Sequence, residues 1–130
     1  MSPTPRKPRP RKRPAGAPLS SELSVALAAA VDKKALDVVI LDLRKASAFT
    51  DFFMIFTGSN VRQVQAIADA IQAALGKEGA KPAIVEGVSR GEWVLLDYFD
   101  FIVHIFTPVT REFYGLEKLW GDAERIEIRA

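Results

Sequence analysis

From Ser21 to about Ala35, Leu23, Leu27 and Val31 recur at spacing four. That stripe predicts an amphipathic helix capped by Ser20 or Ser21. Val38-Val39-Ile40-Leu41 breaks the period. A continuous branched run predicts a strand buried on both faces, and Phe52-Phe53-Met54-Ile55-Phe56-Thr57 reads the same way. Gly58-Ser59-Asn60 then turns the chain and supplies an N-cap. In the helix that follows, Val61, Val64, Ile67, Ile71 and Leu75 share one side, and Arg62, Gln65, Asp69 and Gln72 lie away from it. It fades at Gly76 to Gly79.

Lys81-Pro82 leads into an extended piece, Ala83 to Glu86, and Gly87 to Gly91 is a loop. Glu92–Tyr98 and Asp100–Thr107 read as two strands of a hairpin. Thr107-Pro108 opens a last helix, with Thr as cap and Pro at the first helical position. It runs through Phe113, Leu116 and Leu119 toward Trp120, bent or broken near Gly115. The order predicts a single α/β domain over 19–123, with a mixed sheet of about five strands flanked by helices. A tail, 1–18, precedes it, and a short charged tail, 124–130, follows.

Charge divides the chain at the same boundary. Residues 1–18 hold six basic residues, no acid and six of the eight prolines, whereas the other 112 residues hold 12 basic and 16 acidic ones. The pI near 9.0 therefore belongs to the tail. Proline removes amide donors and fixes an extended backbone, so a disordered, solvated arm is expected. Its cations suit phosphates of RNA, and they equally suit a purely solubilising extension. No apolar h-region follows the charges, and no run approaches the roughly 20 residues that span a bilayer. A cytoplasmic, non-membrane protein is expected.

Candidate chemistry is sparse. Zero Cys removes thiolate nucleophiles and Cys-based metal sites, and the one histidine, His104, removes multi-His sites. His104 alternates with Ile102 and Phe106, which favours a satisfied structural histidine over a general base. Gly58-Ser59 sits at a strand-to-helix junction, where free amides could hold a phosphate. Such a turn resembles that of nucleotidyltransferases, but no Asp-x-Asp pair follows it to hold magnesium. An ordinary helix cap is the favoured reading.

The stretch Glu92 to Tyr98 is more informative. Period two puts Trp93, Leu95 and Asp97 on one face and Val94, Leu96 and Tyr98 on the other. Both faces are largely apolar, so the strand is either buried on both sides or leaves an exposed strip with Trp and Tyr anchors. Glu92, Asp97 and Asp100 would give that strip an acidic rim suited to a basic partner. Trp120 reads as a core plug in preference to a second anchor.

Several motifs then agree in order and spacing. Asp51-Phe52-Phe53, Thr57-Gly58, Arg62-Gln63-Val64, Ile67-Ala68-Asp69, Val85-Glu86-Gly87, Glu92 to Tyr98, Val103 to Phe106, Arg111 to Tyr114 and Leu116 to Asp122 resemble the ribosomal silencing factor (Iojap-like) family over about residues 20–123. The resemblance implies a nucleotidyltransferase-like fold without that activity, hence no enzyme, catalytic residue, metal or cofactor. It implies a translation repressor that binds the large ribosomal subunit through its fourteenth ribosomal protein. The small subunit then cannot join, and translation falls in nutrient scarcity. Carried onto this chain, the partner-binding residues are Trp93, Leu95, Asp97, Tyr98 and Asp100, with Trp93 as anchor and the aspartates paired to Lys or Arg of the partner. The rival readings are a nucleotidyltransferase-like enzyme using Gly58-Ser59 and an RNA-binding assembly factor driven by the arm. The apolar strip could also join two copies of the free protein.

Two positions depart from the family. Phe99 stands where Gly is usual, and a bulky residue disfavours positive φ in the turn. Gly115 stands where a polar helix former is usual, which weakens that helix by about 0.5–1 kcal/mol relative to Ala.

Overall fold

The structure, a computed structural model, describes residues 21–46 and 48–127. The arm 1–18 and the capping candidate Ser20 lie outside the described residues. In chain order the elements are α1 (Ser21–Asp32), β1 (Leu36–Asp42), β2 (Phe52–Thr57), α2 (Val61–Lys77), β3 (Ile84–Glu86), β4 (Trp93–Asp97), β5 (Phe101–Phe106), α3 (Pro108–Tyr114), α4 (Leu116–Leu119) and β6 (Glu124–Glu127). The strands form one six-stranded sheet in the order β3-β4-β5-β2-β1-β6. Only β2 and β5 run parallel; the other neighbours are antiparallel.

Those two parallel strands are the centre of the molecule, and every residue in both is buried. A strand covered on both faces has no solvent side to carry polar residues, which accounts for their apolar composition, Thr57 and His104 being the exceptions. On one face, α1 and α2 close over Ile40, Phe52, Met54, Phe56, Val103 and Ile105. On the other, Leu41, Phe53, Ile55, Ile102 and Phe106 are covered more thinly, by Leu116, Trp120 and Ala123. Trp120, partly buried, stands edge-on to Phe53 at 5.8 Å.

The register of α1 differs from the spacing-four stripe. Leu23, Ala26 and Ala30 are buried, while Val31 is exposed. Alanine lets α1 approach α2 and the sheet closely, so the small residues turn inward and the stripe rotates. The larger difference is at the C-terminal end. Glu124–Glu127 is a sixth strand, not merely a charged tail, and pairs with β1 from Val39↔Glu127 to Asp42↔Glu124. The free backbone edge of β1 needs partners whatever the side chains beyond it are.

Candidate partner-binding surface

The β4–β5 register places Trp93 opposite Phe106 and Leu95 opposite His104. Trp93 therefore lies on the thinly covered face, where α3 comes alongside. Its ring centroid is 4.5 Å from that of Tyr114 and 5.1 Å from that of Phe106. Its Nε1 donates to His104 Nδ1 at 3.0 Å. Gly87 passes close behind it: a Cβ there would stand 2.0 Å from the Trp93 carbonyl oxygen, so only glycine fits.

A groove of about 420 Å³ opens between this strand and α3, lined by Gly87, Arg90, Glu92, Trp93, Val109, Thr110, Phe113 and Tyr114. Val109 and Phe113, at spacing four on α3, are 80% and 79% exposed. Apolar side chains so open beside a half-buried Trp form a patch of the kind that marks an interaction surface. At the rim, Arg90 and Glu92 pair at 3.1 Å. A larger hollow of about 590 Å³ lies between Lys45, Trp120 and Glu124, and none of the five residues nominated from sequence lines it.

Those five residues do not share one surface. Trp93 and Leu95 are half-buried neighbours on the open face, and Asp100 is half-exposed in the β4–β5 turn. Asp97 is only 4% exposed. Its Oδ1 accepts from the Phe99 amide at 2.8 Å, so the carboxylate braces the turn. Tyr98 is 8% exposed and belongs to the core beneath α1 and α2, stacked on Phe101 with centroids 5.1 Å apart. Burial, with a smaller contribution from Glu22, pushes its phenol up to about 12. The alternation of β4 by itself separates Tyr98 from Trp93; only the linear motif groups them. Val109, Phe113 and Tyr114 are surface residues that sequence reasoning misses. Their only signal is an apolar spacing that equally suits a buried helix face.

The Gly58-Ser59 turn is built as a cap. Ser59 N and Oγ both donate to Gln63 Oε1 at 2.6 Å, and Asn60 Oδ1 accepts from Gln63 N at 2.9 Å. The Ser59 amide and hydroxyl and the Gln63 amide are thus engaged within the chain, as in a helix cap. Among the described residues no group of three or more His, Asp or Glu could hold a metal ion. No helix among them is long and apolar enough to cross a membrane.

Fold and surface together define a six-stranded mixed α/β domain with one aromatic face left open beside a short helix. The family model "Ribosomal silencing factor during starvation" matches residues 17–130. The chain belongs to the ribosomal silencing factor family. It is 42% identical over 106 residues to ribosomal silencing factor RsfS of Halalkalibacterium halodurans, covering 82% of this chain and 91% of that one. To the RsfS of Bacillus subtilis it is 43% identical over 108 residues, with 83% and 92% covered. A crystal structure of a Chromobacterium violaceum protein superposes with a TM-score of 0.75 at 33% identity, covering 84% of this chain and 90% of that one.

Proposed function

We propose that this protein lowers translation by obstruction. It binds the large ribosomal subunit in the cytoplasm, through the fourteenth ribosomal protein, and bars the small subunit from joining. The observation that carries this reading is the open aromatic face around Trp93, in a chain of the silencing family. Trp93 inserts as the anchor, Leu95 and the exposed α3 residues Val109 and Phe113 extend the apolar contact, and Asp100 faces a cation of the partner. Asp97 and Tyr98 act indirectly, by shaping the turn and the core behind it. The work is done by two rigid surfaces excluding a third, without a chemical step. The basic arm adds contacts to ribosomal RNA phosphates.

The test is sedimentation of the purified chain with separated subunits. Co-sedimentation with the large subunit alone is expected, with fewer joined ribosomes when the small subunit is added. Trp93→Ala, a truncation on the half-buried edge of the core, should retain the fold and lose binding by about a hundred-fold, as hot-spot aromatics do. A folded Trp93→Ala protein with unchanged affinity would remove Trp93 from the interface.

A further inference from the structure

His104 sits in the middle of β5, Phe101–Phe106, whose other five residues are all apolar. It is 4% exposed. Its ring stands edge-on to Phe53 at 4.6 Å and stacks with Phe106 at 6.0 Å. Nothing in those surroundings asks for a polar ring. Nε2 has no hydrogen-bond partner among the described residues. A buried donor left unmatched costs stability, and a phenyl ring in its place would carry no such donor.

The return for that cost is one bond. Leu95 is directly opposite His104, so Trp93 is its diagonal neighbour across the β4–β5 pair, a separation aromatic side chains can bridge. Nδ1 accepts the indole N–H, which requires the neutral tautomer with its proton on Nε2. Burial lowers the imidazole to about 3, so it remains an acceptor at every physiological pH. The bond holds the indole at a set tilt between Phe106 and Tyr114. An indole free to turn about χ1 and χ2 would lose rotamer freedom on docking; a fixed one has already lost it.

We infer that His104 is a positioning residue, retained against its own cost in the core to hold the Trp93 indole in binding orientation. The inference rests on the proposal that Trp93 anchors the partner. His104→Phe and His104→Asn in the full chain separate this role from a structural one. Phe keeps the ring and removes the acceptor. Asn can place an amide oxygen where Nδ1 stands, but it leaves a void. Three properties are measured: thermal unfolding, the Trp93 indole N–H proton resonance (assigned with a Trp120→Phe variant), and affinity for isolated large subunits well below each unfolding temperature.

His104→Phe should unfold near the wild-type temperature, the relief of the unmatched Nε2 donor offsetting the lost indole bond, shift the indole resonance and bind about ten-fold more weakly. His104→Asn should unfold lower, keep the indole resonance and bind within roughly two-fold of wild type. Wild-type affinity for His104→Phe, an unmoved indole resonance in it, or binding losses that track unfolding temperature in both variants would each overturn the inference. Trp93→Ala runs alongside. If it loses binding while His104→Phe does not, only the positioning role fails; if it binds normally, the anchor reading fails and the positioning role with it.

Discussion

Phe99 has φ 78, in the left-handed region. The expectation that a bulky residue would keep this turn out of positive φ does not hold, and the reason lies in its neighbours. Asp100 N donates to Tyr98 O at 2.9 Å, closing a γ-turn around Phe99. Asp97 holds the Phe99 amide, Thr50 Oγ1 donates to the Phe99 carbonyl at 3.0 Å, and Asp51 N donates to the Asp100 carbonyl at 3.0 Å. These bonds over-determine the turn and carry a conformational cost of about 1–2 kcal/mol. Phe99→Gly should therefore unfold at the same or a slightly higher temperature, the relieved strain offsetting about 0.5–1 kcal/mol of added chain entropy. Phe99→Val, branched at Cβ, should unfold several degrees lower. Thermal melts of the pair decide it; equal destabilisation in both would mean that ring packing, not φ, controls the turn.

The corner between α3 and α4 controls how the open face is built. Gly115 lies at φ 55, ψ 48, ends α3 through its N–H to the Arg111 carbonyl and opens α4. Arg111 ties the corner to the sheet. Its Nε and Nη2 meet Glu117 at 3.1 and 3.0 Å, and Nη1 donates to Thr57 Oγ1 at 2.8 Å and to the Asp37 carbonyl. The hydrogen bonds from Arg111 hold the Glu117 carboxyl below its ordinary value despite the opposing effect of burial. Glycine here is thus the residue that permits the corner, where a continuous helix would only have been weakened by it. A Cβ would meet nothing closer than 3.8 Å, so the penalty of Gly115→Ala is conformational. It should destabilise by about 1 kcal/mol, lowering the melting temperature by several degrees. It should also weaken large-subunit binding, because Tyr114 precedes the corner and packs on Trp93. A melt at wild-type temperature would show that the corner tolerates Ala.

At the scale of the molecule, charge and fold are separated. The described domain carries its own core, and the arm carries six of the chain's 18 basic residues. Deleting residues 1–18 should leave thermal unfolding unchanged and weaken large-subunit binding without abolishing it. The salt dependence should flatten, by up to about 0.9 in the log–log slope for each phosphate that the arm no longer neutralises. Titrations at several salt concentrations check this. Binding abolished outright by the deletion would favour the assembly-factor reading, in which the arm is the whole interface.

The sequence by itself determined what depends on near neighbours. The run of β2 was legible because a strand covered on both sides is apolar almost throughout. The start of α2 at Asn60, the start of α3 at Pro108 and the break at Gly115 were legible because caps, prolines and glycines act within one turn of backbone. The aromatic strip of β4 was visible as a candidate, since Trp93 and Leu95 alternate on one face. Only the tertiary structure decided which polar residues were already engaged. Asp97 and Tyr98 adjoin one another in sequence, but one braces a turn and the other fills the helix-side core. Glu124–Glu127 has a single apolar residue and joins the sheet because β1 presents an unpaired edge. Trp93 and Tyr114 become partners because β5 and α3 bring the chain back across β4, and the acceptor that fixes the indole, His104, comes from the strand between. Such pairings join residues distant along the chain, and they are set by packing of the whole sheet instead of by any local pattern.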